Sequence, residues 1–484
     1  MRVATLVEVI GSRSDVHYRG DPEAQFRGVS YRLRRSMRPG QFIVLVDSAW
    51  GRGAIEKYGI DQEKTPEYVQ RCIEAGVAGF ICNKETAQLD HLARQNVIQA
   101  DNTMDAVYRM AEAIRDARGS RRIATITGSA GKSSTKAMLT HALTATGDSA
   151  RVFSPPSSQN IATSILSHYC RIDQAGHNVI EVAGSAFRSF QRNDFALGSD
   201  VSIVTNISEA HLDYLGDLRG VAEQKSHIFD GTPVGGVAII NADTPHADLL
   251  IEHAVSEGRQ LVTYGEHSSA TFRLIDYDPD SGRVVARVGR EEVSYRLGAP
   301  GLHMALNSLA VLATLRCYRI RDWRRGIDSL ADFLPLSGRG ETSELTLANG
   351  ATVSLIDDAY NANPSSMRAA LTALLQRVDG DRRSVAILGD MLELGSEPQR
   401  YHDDLVHYLR DNPPAVVHLY GDYMRGVYTE LSKHRRDIQF WESVAELEAS
   451  ISTNSKSGDV ILVKSSNGTG LHELVAGLKS SATA

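Results

Sequence analysis

A chain of 484 residues is too long for a single hydrophobic core and, at ordinary domain sizes, divides into about three. With 42% hydrophobic and 23% charged residues it has the composition of a globular protein, and a net charge of -7 excludes nucleic acid or anionic membrane as a partner held by the overall field. The N-terminus MRVATLVEVIGSRSD lacks a basic region followed by an apolar core, and no run of about 20 apolar residues occurs anywhere, so the expectation is a cytoplasmic protein without a membrane span.

Residues 1–118 read as mixed strands and helices. FIVLVDSA is a buried-type strand, and PEYVQRCIEAGVAGFIC a helix, a turn and a strand. The basic stretch RDARGSRR marks a boundary. Over residues 119–335 strands and helices alternate: RRIATIT, a helix after Lys132, NVIEVA, DVSIVTNI, a helix containing Ala222 to Phe229, and GVAIINA. Such alternation specifies a parallel sheet covered by helices. The stretch from Ser268 to Leu297 reads as a hairpin insertion turning at Asp280, Ser281 and Gly282, and a helix from His303 to Tyr318 follows. Residues 336–484 give a second doubly wound pattern without a phosphate loop, its strands being VSLIDDA, SVAILGD, AVVHLYG and DVILVKS. SISTNSKSGD and the tail SSATA read as loops, and RDWRRG as a solvated helix face. The fold class is therefore α/β in three domains. Cys72, Cys82, Cys170 and Cys317 have no C-x-x-C spacing, which argues against a disulfide framework and a zinc site and leaves core filling as their role.

The segment Ala124 to Met138, ATITGSAGKSSTKAM, carries the strongest chemical signal. A β-branched strand runs into a glycine turn, then Gly131, Lys132 and Ser133 open a helix. Backbone N–H groups and the helix N-terminus of such a loop face a triphosphate, the lysine reaches its outer oxygens, and the Ser133 hydroxyl suits Mg2+. ATP or GTP binding follows. The general pattern G-x-x-x-x-G-K-[ST] would place a glycine at 126, where Ile126 stands, so the match is to a shorter TGxxGKS form.

Ligands of open parallel sheets sit off the carboxyl ends of strands. Glu181 ends one strand, Asn206, Glu209 and His211 follow another, and Lys225 stands in the next helix. In the last domain DDAYNANPSSM and LGDMLELG end strands. Paired Asp357 and Asp358 need solvent or donors, a ribose hydroxyl being one. Asn363 and Ser365 around Pro364 also read as helix caps, and Asp390, Glu393 and Gly395 as a loop before a capped helix.

In this order TGSAGKSSTK, EVAG, NISEAHLDYLGDLRGVAEQK, INAD, HMALN, GRGE, DDAYNANPSSMRAAL, LGDMLELG and LVKSS resemble the Mur ligases, over residues from about 121 to the C-terminus. DDAYNANPSSM with LGDMLELG is most similar to the MurF type, which joins UDP-N-acetylmuramoyl-tripeptide to D-alanyl-D-alanine. The short phosphate loop is that family's own form. The resemblance implies ATP and Mg2+ as cofactors, with Thr127, Gly128, Ser129, Gly131, Lys132, Ser133 and Ser134 around the phosphates. It implies Ser133 and Glu181 on one Mg2+, His211 on a second, and Lys225 carbamylated by CO2 beside it. Asn307 would face adenine, Asp358 the ribose and Arg339 the phosphates, with Lys132, Lys225 and His211 in catalytic roles. The reaction implied activates a carboxylate as an acyl phosphate, which an amine then attacks. Two anions must approach, so metals, a lysine and a helix terminus offset the repulsion. The partners implied are a small-molecule carboxylate, nucleotide-linked or not, and an amino acid or dipeptide, with a monomer favoured.

Four places depart from the family. Its Asp-Ser-Arg element before a Pro-Gly reads Leu33, Arg34, Arg35 here, and its glycine-rich Asp-Gly-His stretch is replaced by SAWGRGAIEKYGIDQEKTP. A family glutamate is His227, and Lys-Gly-Ser-Arg near the C-terminus reads Lys464, Ser465, Ser466, Asn467. These leave the ATP chemistry intact and point to a second reading, a MurF-like paralogue joining a different carboxylate and amine. A phosphotransferase or plain ATPase would use the loop but would not need DDAYNANP, and a non-catalytic nucleotide-binding protein would be expected to have lost some site residues.

Overall fold

The computed structural model describes residues 1–11, 15–33, 38–46, 65–147, 151–156, 159–172, 175–209, 212–299, 301–378, 380 and 382–482. They form two compact units, one of residues 1–125, 149–200 and 230–233, the other of residues 126–148, 201–229 and 234–484.

In the first unit a five-stranded sheet runs in the order Val16–Arg19, Val97–Ala100, Gly79–Cys82, Phe42–Val44 and Val29–Ser30. Only the first pairing is antiparallel. The interior strands read as unbroken apolar runs because both faces are covered, and Ile43, Phe80, Cys72 and Val97 share one core. Among the described residues of FIVLVDSA the strand is Phe42–Val44. Leu45 still donates its N–H to the Ile81 carbonyl at 2.8 Å, and residues 47–64 lie outside the described residues. The helix Pro66–Glu74 begins as its sequence asks, with proline in the first turn and Thr65 Oγ1 accepting from the Tyr68 N–H at 3.3 Å. Cys72, Cys82 and Cys170 are buried and Cys317 is half-buried, none of them in a disulfide, as core fillers should be.

The second unit holds a sheet in which Glu291–Arg296, Arg283–Val288, Phe272–Asp278, Gln260–Gly265, Val237–Asn241 and Val201–Val204 stand in that spatial order. The stretch expected as a hairpin insertion is more than that. A second turn at Gly289 and Arg290 adds a third strand, and all three continue the main sheet, since Phe272–Asp278 pairs parallel with Gln260–Gly265. The Asp280–Gly282 turn stands where expected, and Gly282 (φ +69°) is needed there because a Cβ would lie 2.4 Å from the Leu297 carbonyl oxygen. The helix read over Ala222 to Phe229 is Leu218–Ser226. Asp217 caps it at the start, and it closes at His227.

A six-stranded sheet follows, ordered Glu341–Thr346, Thr352–Asp358, Val460–Lys464, Ser384–Gly389, Val416–Tyr420 and Ile438–Trp441, parallel except for its first pair. The strand period of two divides its side chains between two cores. Ala386, Leu388 and Leu462 pack with Met367, Leu371 and Leu405, while Val385, Ile387, Ile461 and Val463 pack with Leu447, Ile451 and Leu474. SISTN is helical, not a loop: Ser443 caps the helix Val444–Asn454, and burial of Leu447 and Ile451 overrides the weak propensity of its serines and threonine. Ser480 and Ser481 likewise end the helix Leu471–Ser481. Arg321, Arg324 and Arg325 of RDWRRG are exposed as expected, with Arg316 and Arg324 flanking the Trp323 ring at 4.6 and 4.8 Å.

Candidate functional site

The strand Arg122–Thr127 ends at the loop and the helix Lys132–Ala145 begins at its far side, so the phosphate-loop setting read from sequence is present. Two glycines shape it. At Gly128 (φ +150°) a Cβ would lie 1.9 Å from Thr205 Oγ1, and at Gly131 (φ +79°) one would lie 2.7 Å from Asn307 Nδ2. Lys132 folds back over the loop, its Nζ donating to the Gly128 carbonyl at 2.7 Å and the Ser129 carbonyl at 3.3 Å. Thr127 and Ser133 are buried and Ser134 is half-buried in the helix's first turn.

The segment after Val201–Val204 holds the loop's shape. The Asn206 carbonyl accepts from the Ser129 N–H at 2.9 Å, and Asn206 Oδ1 accepts from the Ala130 N–H at 2.7 Å. Ser129 Oγ donates to the Ser208 carbonyl at 2.9 Å and accepts from the Ser208 N–H at 3.0 Å. Replacing Gly128 with alanine should therefore push Thr205 away from the loop and impose an unfavourable φ. The expected cost is about 1–3 kcal/mol of stability, with loss of nucleotide affinity, read by a thermal melt beside an ATP titration.

Lys225, on Leu218–Ser226, is buried. Burial, with the Lys132 charge as a second cause, brings its ammonium down to about 7. Glu181 belongs to the first unit, where it ends His177–Glu181, is buried, and accepts from Asn160 Nδ2 at 2.7 Å. His211 lies outside the described residues. Among the described residues no three His, Cys, Asp or Glu gather as a metal site.

The last sheet presents the remaining expected residues. Asp357 accepts from the Gly338 N–H at 2.8 Å and Ser337 Oγ at 3.3 Å, which supplies the donors a buried carboxylate needs. Asp358 pairs with Lys464 Nζ at 2.9 Å, and burial pushes its carboxyl up against the pull of Lys464 and Arg339. The Arg339 guanidinium stacks 4.1 Å from the centre of the Tyr360 ring. Asn363 caps the helix Pro364–Gln376 as expected, but its reciprocal partner is Ser366 rather than Ser365, because the capping box closes on the third helical residue. Asp390 is drawn elsewhere: its Oδ1 accepts from the Met424 N–H at 3.0 Å at the start of Met424–Leu431. Lys464, buried at a strand end, donates to the Asn361 carbonyl at 2.6 Å, so the Lys-Ser-Ser-Asn departure keeps its lysine on the DDAYNANP segment.

Asn363 Nδ2 donates to Ser208 Oγ at 3.3 Å, which brings the DDAYNANP segment to the phosphate loop. Sequence reading missed Ser208 and Asn160. A hydroxyl in NISEAH and an amide in SQNI are ordinary polar loop residues until a partner far away in sequence is placed beside them.

Known proteins are similar to this chain in sequence and in fold. Residues 126–315 match the Mur ligase middle domain and residues 339–467 the Mur ligase glutamate ligase domain. The chain is 28% identical over 416 residues to the UDP-N-acetylmuramoyl-tripeptide–D-alanyl-D-alanine ligase of Bacillus subtilis, covering 85% of this chain and 87% of the relative. It is 29% identical over 413 residues to the Rickettsia prowazekii enzyme of that name, covering 84% and 88%. In fold it is similar to MurF from Acinetobacter baumannii (TM-score 0.78, 21% identity, 98% of each chain covered). It is also similar to the MurF ligase of Thermotoga maritima in complex with ADP (TM-score 0.70, 21% identity, 94% and 97% covered). The resemblance read from residue 121 onward thus extends in fold over the N-terminal residues too. The chain belongs to the Mur ligase family.

Proposed function

We propose that this enzyme, an ATP-dependent carboxylate–amine ligase, joins D-alanyl-D-alanine to UDP-N-acetylmuramoyl-tripeptide, acting in the cytoplasm as a monomer. No helix among the described residues is long and apolar enough to cross a membrane. In this reading residues 1–118 receive the nucleotide-linked carboxylate, residues 119–335 the ATP, and residues 336–484 the amine. The observation that carries it is the contact of DDAYNANP with the phosphate loop through Asn363 and Ser208, which a phosphotransferase or plain ATPase would not need.

The residues present fit ATP and Mg2+. Gly128 and Gly131 leave room that a Cβ would fill, and Lys132 stands over the loop to meet phosphate oxygens. ATP supplies the phosphoryl group that makes the carboxylate reactive, and Mg2+ offsets its charge. Ser133 and Glu181 would hold one Mg2+, and His211, with Lys225, a second. Lys225, brought down to about 7, keeps a large neutral fraction at cellular pH, and a neutral amine can add to CO2. A nitrogen–carbon bond forms, one proton leaves, and a buried cation becomes an anion able to face a metal. Asn307, near Gly131, would face the adenine, Asp358 the ribose and Arg339 the phosphates.

The second reading, a different substrate pair, rests on Leu33, which packs against the core of the first unit where the family has a polar element; Arg34 and Arg35 lie outside the described residues. The mechanism is tested with an acyl substrate carrying 18O in its carboxylate. Transfer of one 18O into the released phosphate, with ADP as the other product, is expected. Unlabelled phosphate alongside amide product would rule out activation by phosphorylation.

A further inference from the structure

We infer that Ser208 and Asn363 are a positioning pair that couples the phosphate loop to the amine-side domain, so that each feels the arrangement of the other; the inference rests on the ligase reading for its consequence in turnover. Ser208 is buried and bonded to the loop through its backbone alone: its N–H and carbonyl are both held by Ser129 Oγ, at 3.0 and 2.9 Å. Its Oγ accepts from Asn363 Nδ2 at 3.3 Å and, at 3.5 Å, from Asn206 Nδ2.

Asn363 is equally committed. It is buried, its Oδ1 accepts from the Ser366 N–H at 2.8 Å, and its own N–H donates to Ser366 Oγ at 3.0 Å, so its amide cannot turn without uncapping Pro364–Gln376. The segment leading into it is fixed from behind. Lys464 holds the Asn361 carbonyl at 2.6 Å, and Ser466 Oγ donates to the Ala362 carbonyl at 3.4 Å. A shift of Ser129 must therefore move Ser208 and then either carry Asn363 with it or break the one bond between them. That bond joins two neutral groups toward the long end of the hydrogen-bond range, so it is a weak link that a small displacement can open. Its consequence for a ligase is timing. An activated carboxylate is exposed to water until the amine-side domain is seated, and a loose connection lets hydrolysis compete with amide formation.

Two variants separate the pair from its surroundings. Ser208→Ala keeps both backbone bonds to Ser129 and removes the Oγ that accepts from Asn363 and, at 3.5 Å, from Asn206, while Asn363→Ser leaves the Asn206 bond in place. Asn363→Ser keeps a helix-capping oxygen but is too short to reach residue 208. Hydrogen exchange of the full-length protein should show residues 126–135 exchanging about 2- to 10-fold faster in either variant, at an unchanged melting temperature, with no further rise in the double variant. Phosphate released per amide formed should rise in the same variants, a change that a merely structural role would not produce. Wild-type exchange of the loop in Asn363→Ser and Ser208→Ala, or effects that multiply in the double variant, would overturn the pair. Should Asn363→Ser lower the melting temperature, Ser208→Ala decides, since it leaves the cap intact. The ligase reading is judged separately: a wild-type enzyme that makes no amide defeats that reading, while the exchange result still decides the coupling.

Discussion

Replacing Lys132 with alanine is expected to abolish nucleotide-dependent turnover while leaving the fold intact. The side chain is half-buried over the loop, with its Nζ donating to the Gly128 and Ser129 carbonyls, so its removal opens no core cavity. A stability change within about 0.5 kcal/mol follows for such a site. Against a polyphosphate the same ammonium is a charge-assisted donor, whose loss costs about 2–5 kcal/mol and weakens ATP binding by roughly 30-fold or more. ATP titration and a thermal melt on the same preparation check both halves. Unchanged ATP affinity in Lys132→Ala would refute the role.

The second large effect is at Lys225. Lys225→Ala should lose activity by about 10²- to 10³-fold, the scale seen when one preorganised charged group is removed from a reacting centre. A small added carboxylic acid should restore part of it, because it supplies the missing anion in the space vacated. Lys225→Arg should stay inactive under the same addition, since its guanidinium remains charged and fills the site. The pH dependence has a fixed sign. The proton affinity of the amine is lowered by burial and then by Lys132, so the neutral form that reacts with CO2 is scarce below about pH 7 and grows as pH rises through it. When bicarbonate is withheld, activity should therefore fall most at acidic pH and recover on adding bicarbonate. A fully active Lys225→Ala enzyme would remove the lysine from the mechanism.

What could be read from the chain was what is local. The phosphate loop is contiguous, and its glycines, lysine and serine stand between a strand and a helix that announce themselves. Asn363 before Pro364 is a cap within one turn, and only the partner was misplaced, by one residue. Distance in sequence hid the rest. Ser208 meets Asn363 across 155 positions and Asn160 meets Glu181 across 21, and neither shows a pattern of its own. Asp390 was read with the helix that follows it, yet it bonds to the Met424 N–H, 34 positions on. Strands were legible when buried on both faces, as Val460–Lys464 is, and illegible at edges. ETSELT pairs with Thr352–Asp358 but shows no apolar run because it has one neighbour and faces solvent. SISTN was misread for the opposite reason: its polar letters speak for a loop, and one buried isoleucine on a capped helix decides otherwise.

The account is tested most directly by incubating the full-length enzyme with ATP, Mg2+, bicarbonate, UDP-N-acetylmuramoyl-tripeptide and D-alanyl-D-alanine, and following product by mass. The predicted result is an adduct equal to the two substrates less one water, formed together with one ADP and one phosphate and absent when ATP, Mg2+ or either substrate is omitted. Nucleotide binding without this adduct, alongside ATP-dependent amide formation from another carboxylate and amine, would contradict the proposed substrates and give the chain to the paralogue reading suggested by Leu33.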